Sequence, residues 1–275
     1  MLIKSFGQSD VGKRREKNED SYLVNNERLL YLIADGMGGH LGGEFASQLA
    51  VVTIEEVVKI LEDDPETTLL EGEAVKPGDY PNCLRYAIRV ASQRIFEKAN
   101  EDVNLHGMGT TTVALLFRNN RVYIANVGDS RAYRIRDSKI SQITQDHSLV
   151  GEQIRAGLIS ADDSRIHRLK NIITRSVGFQ EFVDSDIDIR AVRLGDRYLL
   201  CSDGLSNLVG DQEIKDIAVN NDIEAAVRRL IDIANERGGD DNITIVLTEV
   251  VGLDNLPEFE DESSGAEDES TLGIE

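Results

Sequence analysis

Four aspartates lie where short apolar runs end or begin, each beside a glycine or an asparagine: Asp35, Asp129, Asp203 and Asp241. Carboxylates that meet at strand ends repel one another unless a cation lies between them. Mg²⁺ and Mn²⁺ bind carboxylate, carbonyl and water oxygens, whereas no clustered His or Cys points to zinc. The placement favours a hard divalent cation, although spacing alone does not show that four distant residues converge.

Turn formation is the alternative for each aspartate taken singly, because Asp-Gly is a common hairpin signal. However, Asp35-Gly36 leads through further glycines into a helical pattern, and Asp203-Gly204 precedes the segment LSNLVGDQE. Neither pair therefore joins two strands, and the set as a whole favours metal binding.

The glycine-rich run 35–43 allows a second interpretation, since a strand, glycines and a helix can present backbone amides to a pyrophosphate. Its spacing is GxGxxxG, with Leu41 where the third glycine of that motif belongs. The acid expected about 20 residues further on to bind ribose falls inside a helical pattern, at Glu55 and Glu56. Dinucleotide binding is therefore disfavoured.

Charge and composition exclude several classes of partner. The chain has 30 Lys+Arg against 50 Asp+Glu, a formal charge of −20, of which nine acids lie in the last 23 residues. The remainder carries about −11, so no broad cationic field favours nucleic-acid binding. Two distant cysteines, Cys83 and Cys201, with no membrane-length apolar run and no secretory signal, predict a reduced cytoplasmic protein that does not bind membranes.

Two apolar periodicities predict an α+β fold. Apolar side chains recur every three or four positions over 46–61, 84–99 and 223–237, which predicts helices. Asp222 is expected to cap the third helix and Gly238 to end it, and Asp211 to cap a shorter helix before it. Short β-branched or alternating runs predict strands at 29–34, 111–117, 122–127, 131–135, 187–192, 198–201 and 243–247.

Two segments lack clear apolar periodicity: 62–82 is expected to be a loop between the first two helices, and 145–178 a small excursion from the core. The connection 62–82 is polar and holds three of the four prolines, and 145–178 is mixed in composition. After Gly252 the chain becomes rich in Ser, Gly, Asp and Glu, which predicts a disordered acidic tail over 253–275 and one domain over 1–252.

Six motifs occur in order: REKNEDS at 15–21, DGMGGH at 35–40, GMGTT at 107–111, GDSR at 128–131, CSDGL at 201–205 and DDNIT at 240–244. In this order they resemble the metal-dependent protein phosphatases of the protein phosphatase 2C (PPM) type, particularly the short bacterial serine/threonine members. The similarity covers roughly residues 5 to 250. Each motif alone is weak, but six in sequence are specific.

The resemblance implies a central antiparallel β-sandwich flanked on both faces by helix pairs. It also implies two Mn²⁺ or Mg²⁺ ions, or three, in a cleft at one end. Carried over by position, it implies that Asp35 bridges two metals and that Gly36 offers its carbonyl to the second. Asp203 and Asp241 would complete the shell of the first.

The resemblance assigns further roles to charged residues. Glu19 and Asp20 match acids that hold metal-bound water, and Asp129 with Asp203 matches a third metal site. Arg15 matches the arginine that binds substrate phosphate; its alternative is a solvated residue of the charged run KRREKNED. A forked guanidinium suits a phosphate better than the neighbouring lysines do.

Two departures from the family pattern concern substrate handling. Some eukaryotic relatives have a histidine at the position of Met37, so protonation of the leaving group has no assigned residue here. His40, His106, His147 and His167 are interpreted as surface or hydrogen-bonded residues. The segment 145–178 resembles the family's flap, but its HRLKN at 167–171 departs from HPxRN.

The expected activity is hydrolysis of phosphoserine and phosphothreonine esters by a water that bridges two metals, without a phosphoenzyme. Expected partners are phosphorylated proteins, with a cognate Ser/Thr kinase and its substrates, and the expected state is a monomer. Two alternatives stay open: a non-catalytic module that binds phosphoproteins, and a phosphatase with one signalling substrate.

Overall fold

The computed structural model describes residues 1–38, 42–64, 67, 70, 74–159, 169 and 172–255. Its strands, numbered in chain order, are Leu2–Asp10 (β1), Asp20–Asn25 (β2), Leu30–Met37 (β3), Gly109–Thr110 (β4), Thr112–Arg118 (β5), Arg121–Val127 (β6), Arg131–Arg136 (β7), Lys139–Gln142 (β8), Asp186–Ala191 (β9), Arg197–Cys201 (β10) and Ile243–Gly252 (β11). Its α-helices are Gly42–Asp63 (α1), Tyr80–Glu101 (α2), Leu149–Arg155 (α3), Asp203–Ser206 (α4), Asp211–Asn220 (α5) and Ile223–Glu236 (α6).

The strands form two antiparallel sheets packed face to face. One has the order β1-β11-β10-β7-β8, and the other has the order β2-β3-β5-β6-β9, with β4 paired to β3. Between them lies an apolar layer in which Phe117 makes edge contacts with Tyr31 and with Tyr198 of the opposite sheet. The two sheets therefore enclose a central apolar core.

Helices cover the outer face of each sheet. The pair α1 and α2 packs its apolar faces on the sheet that contains β3, and α5 and α6 pack on the sheet that contains β10. The four layers are helix, sheet, sheet and helix. The predicted α+β sandwich flanked by helix pairs is confirmed.

Helix ends follow the predicted local chemistry with one exception. Asp222 accepts from Ala225 N across 2.9 Å at the start of α6, and Gly238 follows its end with φ of +130°. The N-cap of α5 is Gly210, so the predicted cap at Asp211 was wrong by one position. As the first helical residue, Asp211 instead places its charge beside the free amides of the first turn.

Four strands were missed. The strand β4 has only two residues and leaves no pattern, and each of the other three owes its form to its partner. The sequence of β1, LIKSFGQSD, has no apolar run, and its residues pair one by one with β11. The strand β2 is short, and β8 is an exposed edge with little apolar content. Pairing with a neighbour, which a single sequence does not show, specifies all three.

Several sequence features lie wholly or mainly outside the described residues. They are the centre of the glycine-rich run at 39–41, the HRLKN segment apart from Leu169, and the acidic tail from 256 onward. Cys83 and Cys201 are buried and unbonded to one another. No helix in the described part of the chain is long and apolar enough to cross a bilayer.

Candidate active site

One end of the sandwich gathers the predicted acids from both sheets. Asp20 at the start of β2 pairs directly with Asp35 near the end of β3. In the other sheet, β10 ends and β11 begins side by side, because Cys201 pairs with Ile245 and also with Arg131. Antiparallel register therefore brings the residues just beyond these strand ends, including Asp129, Asp203 and Asp241, to one edge.

Asp20 is held in place by hydroxyl groups of the opposite sheet. Ser202 Oγ and Thr244 Oγ1 donate to its Oδ2 across 2.8 and 2.6 Å. Its Oδ1 is buried and has no hydrogen-bond partner among the described residues. Burial raises the pKa of Asp20 to about 7, although the two hydroxyls partly counter this effect.

The carboxyl groups also act on one another. Burial raises the pKa of Asp35 well above its ordinary value, and the charges of Asp20 and Asp203 add to the rise. Burial likewise raises the pKa of Asp129 to about 8, with Asp203 as the next contributor. Acids that raise each other's pKa in this way lie in a common field that a cation would neutralise.

The glycines that follow two of these acids allow another main-chain segment to pack closely against them. A Cβ at Gly36 would lie 2.1 Å from Gly43 O, and one at Gly204 would lie 2.0 Å from Asn242 O. Neither Asp-Gly pair is a hairpin turn, since Gly36 lies within β3 and Gly204 within α4. Main chain thus packs against main chain beside both acids, as the metal-site interpretation requires.

Arg15 reaches the same cluster from the loop between β1 and β2. Its Nη2 donates to Asp241 Oδ2 across 2.7 Å. Burial works to lower the pKa of Arg15, but the neighbouring charges, chiefly Asp241, raise it overall. Glu19 and Asp35 also contribute to this rise, so Arg15 faces three of the predicted acids.

Asn242 joins that loop to the start of β11. Its Oδ1 accepts from Glu19 N across 2.8 Å, and its Nδ2 donates to the carbonyls of Val11 and Lys17, each across 2.9 Å. The Glu19 side chain lies beside Gly43 at the start of α1. Asn242 therefore positions the segment that carries both Arg15 and Glu19.

A cavity of about 420 Å³ opens next to the acid cluster, with Asp129 and Asp203 in its lining. Its far wall is α3, the described helix of the segment 145–178. Asp146 ties the base of this segment to β7 through an ion pair with Arg131 Nη2 at 2.7 Å. The segment that resembles a flap thus borders the predicted site.

The donor set fits a hard divalent cation. The cluster consists of carboxylates whose pKa is raised by burial and then by their mutual repulsion, and it includes a buried oxygen on Asp20 that has no hydrogen-bond partner among the described residues. Across the described ranges, no three His, Cys, Asp or Glu side chains are already grouped as metal ligands. An ion bound to these carboxylates would compete with Arg15 for Asp241.

Sequence reasoning missed the polar residues that hold these acids. Ser202, Thr244 and Asn242 each stand within three positions of a predicted site aspartate. Thr111 is another: its hydroxyl accepts from Asp35 N at 3.0 Å and bonds Ser130 Oγ at 2.7 Å. Proximity in sequence to the aspartates could have identified the first three, whereas Thr111 is remote from Asp35 in sequence.

Comparison with known proteins decides the family. The model of the family described as Protein phosphatase 2C matches residues 5–243, most of the chain. The chain belongs to the protein phosphatase 2C family. The predicted resemblance is therefore confirmed.

Curated relatives of this protein phosphatase 2C chain carry matching names. It is 36 % identical to the serine/threonine protein phosphatase PstP of Mycobacterium tuberculosis over 99 % of this chain and 50 % of that protein. It is 37 % identical to the serine/threonine phosphatase Stp of Listeria welshimeri over 88 % of this chain and 94 % of that protein. The chain thus spans about half the length of PstP.

A solved structure supports the same family and shows a relative with bound metal ions. The catalytic domain of PstP in complex with two manganese ions matches with a TM-score of 0.79 and 35 % identity, over 91 % of this chain and 99 % of that one. A protein phosphatase 2C domain of the same fold thus binds Mn²⁺.

Proposed function

We propose that this chain is a metal-dependent protein phosphatase that hydrolyses phosphoserine and phosphothreonine esters without a phosphoenzyme intermediate. The observation that carries the proposal is the gathering of Asp20, Asp35, Asp129 and their neighbours at one sandwich end, with Arg15 among them. Family membership makes phosphate-ester hydrolysis the chemistry that this cluster serves.

Three carboxylates are the proposed principal metal ligands. Asp35 would bridge two Mn²⁺ or Mg²⁺ ions, with the carbonyl of Gly36 on the second, and Asp203 and Asp241 would complete the first. When bound, such ions supply a deprotonated water at neutral pH and neutralise charge on the phosphoryl oxygens. The strand-end positions of these residues support this assignment, because they come from both sheets.

Three further acids are proposed to support the ions. Glu19 and Asp20 would hold metal-bound water, and Asp129 with Asp203 would hold a third ion. The raised pKa of Asp129, about 8, supports this role, because a nearby cation would relieve the repulsion from Asp203.

Arg15 is the proposed phosphate-binding residue. Its guanidinium presents a planar set of donors that matches phosphate oxygens, and its side chain is about half exposed. Binding phosphate would require Arg15 to exchange Asp241 for the substrate. The residue would then hold the phosphoryl group for attack and offset its charge.

Two side chains beside the acids, Cys201 and Ser202, do not favour attack as covalent nucleophiles. Burial raises the pKa of the Cys201 thiol to about 12, and the Ser202 hydroxyl donates to Asp20. A thiolate or an activated hydroxyl is needed for a phosphoenzyme on such residues. This supports direct attack by water.

The wider context is proposed with the same function. The catalytic domain would span 1–252, with 145–178 as the flap and 253–275 as an acidic tail. Substrates would be phosphorylated proteins, including those of a cognate Ser/Thr kinase, and the chain would act as a monomer in the cytoplasm. The final strand, β11, ends at Gly252, in agreement with the proposed domain limit.

The direct test is hydrolysis of p-nitrophenyl phosphate and of a phosphothreonine peptide with Mn²⁺. Activity should disappear in EDTA, return with excess Mn²⁺ or Mg²⁺, and be lost in Asp203→Ala. Asp240→Ala is the matched control, because Asp240 is exposed and lies next to the proposed ligand Asp241. A stable phosphopeptide complex without turnover would support the binding-module alternative and contradict the proposal.

A further inference from the structure

One residue binds both main-chain groups of the turn that presents Asp129. His147 N donates to Gly128 O across 2.9 Å, and Gly128 N donates to His147 Nδ1 across 3.1 Å. Gly128 has φ of +105°, and a Cβ there would lie 2.6 Å from Thr111 Cγ2. The turn therefore has a conformation that favours glycine, and His147 closes it from the side of the flap.

The hydrogen bonds of His147 define its protonation. Because Nδ1 accepts from Gly128, the proton lies on Nε2, which donates to Asp186 Oδ2 across 3.0 Å. Arg175 Nη1 in turn donates to Asp186 Oδ1 across 2.6 Å. Burial lowers the pKa of His147, which is 3 % exposed, and the cations Arg175 and Arg155 add to this effect.

His147 also joins the two arms of the flap segment. Its carbonyl accepts from Thr174 N across 2.8 Å, and next to it Leu149 N donates to Ile172 O across 2.9 Å. The outgoing arm, 147–149, and the returning arm, 172–174, thus meet at this residue. His147 therefore makes hydrogen bonds both to the Gly128 turn and to the returning arm of the flap.

We propose that His147 is a positioning residue: its imidazole, protonated on Nε2, fixes the turn that presents Asp129 and ties that turn to the base of the flap. The inference rests on the proposed function for the role of Asp129. His147 acts through Gly128 and the flap. Partners that orient ligand residues typically contribute about 10- to 100-fold to metal affinity or activity.

A pair of isosteric variants separates the two ring nitrogens. In His147→Asn, Oδ1 can replace Nδ1 as acceptor for Gly128 N, while the donor to Asp186 is lost. In His147→Gln, Nε2 can replace the donor to Asp186, while the acceptor for Gly128 is lost. Urea unfolding first establishes that the two variants have similar stability. The rate of p-nitrophenyl phosphate hydrolysis is then measured as a function of Mn²⁺ concentration for each variant.

The proposal expects the glutamine variant to need about tenfold more Mn²⁺ for half-maximal rate, and the asparagine variant to stay near wild type. A general loss of packing would lower the stability of both variants without separating their Mn²⁺ requirements. Equal shifts in both variants, or a wild-type requirement in His147→Gln, would overturn the proposal.

A second readout needs neither metal nor substrate. Long-range ¹H–¹⁵N NMR spectra of the metal-free wild-type protein at pH 7 should show a neutral His147 protonated on Nε2. The Gly128 amide should exchange slowly with solvent, and at least about tenfold faster in His147→Gln, where its acceptor is gone. A charged ring, or a proton on Nδ1, would refute the proposal even if the glutamine variant failed to fold, and an inactive chain would leave this measurement intact.

Discussion

Arg15 Nη2 and Asp241 Oδ2 form a hydrogen-bonded ion pair at 2.7 Å. The proposed phosphate-binding residue therefore contacts a proposed metal ligand. A cation on Asp241 competes with Arg15 for the same carboxylate. Loading the metal and freeing Arg15 for substrate are therefore expected to be coupled. This relationship predicts opposite effects of one substitution on metal binding and on catalysis.

Arg15→Ala should lower kcat/KM for p-nitrophenyl phosphate about 10- to 100-fold, because hydrogen bonds between charged groups contribute about 1.5–3 kcal/mol. The same variant should bind Mn²⁺ at least as tightly as wild type, because a competitor for Asp241 is removed. Arg15→Lys should recover only part of the rate, since an ammonium lacks the fork.

Arg14→Ala is the matched control for that series. Arg14 is 73 % exposed and its nearest acid is Asp240, at 3.5 Å, so wild-type kinetics and Mn²⁺ binding are expected. Weaker Mn²⁺ binding in Arg15→Ala than in Arg14→Ala would contradict the competition between Arg15 and the metal.

The acid cluster predicts an unusual pH dependence of stability in EDTA. Asp20 and Asp129 have a raised pKa in the folded chain, about 7 and about 8, so between pH 4 and pH 8 the folded state binds more protons than the unfolded state. The free energy of unfolding should therefore fall as pH rises from 6.5 to 8.5, at up to about 1.4 kcal/mol per pH unit for each proton.

Urea unfolding at several pH values checks this fall in stability. Histidine has an ordinary pKa of about 6.5, so unfolded His147 is still partly protonated at the start of the window, and its lowered pKa in the folded chain works against the fall there. Above about pH 7.5 His147 is neutral in both states. Asp129→Asn should flatten the dependence above pH 7, and Mn²⁺ should reverse its sign by favouring ionised carboxylates. A metal-free wild-type protein that gains stability across the window would show that these acids are not buried together.

The distal arm of the flap predicts a steric effect on stability. Gly178 has φ of +90°, donates its N–H to Ser92 Oγ, and leaves no room for a Cβ, which would lie 2.1 Å from Ile95 Cγ2. Gly178→Ala should lower the free energy of unfolding by about 3 kcal/mol through backbone strain and overpacking.

Gly157→Ala tests backbone strain alone in the same segment. Gly157 has φ of +69°, with no described atom within 4 Å of its ideal Cβ, so about 1 kcal/mol is expected. Urea unfolding measures both variants. Equal losses would show that the flap arm does not pack on α2 as described.

The sequence predicted most of the buried strands and missed three of the four edge strands, β1, β2 and β8. Apolar runs such as 111–117 and 122–127 correspond closely to β5 and β6, because residues buried on both faces leave a continuous apolar signal. Gly7 and the polar residues of β1 give no such signal. That strand is specified by its long-range pairing with β11.

The aspartates were recognisable as candidates, but their convergence was not. Asp20 comes opposite Asp35 through the register of β2 and β3, and β2 itself left no clear pattern. Asp203 and Asp241 adjoin because β10 and β11 are neighbours, although about 40 residues separate these acids in sequence. Register and strand order are tertiary properties that apolar periodicity does not reveal. The convergence of the aspartates was therefore predicted only from the resemblance carried by the six motifs.

Isothermal titration of Mn²⁺ into EDTA-stripped protein tests the gathering of acids most directly. Wild type and Asp240→Asn should each bind two ions per chain tightly, the number in the PstP complex, with the proposed third ion weaker, and Asp35→Asn should lose tight binding of both. An Asp35→Asn isotherm that matches wild type, or a wild-type protein that binds no Mn²⁺, would contradict the metal site on which the proposed function depends.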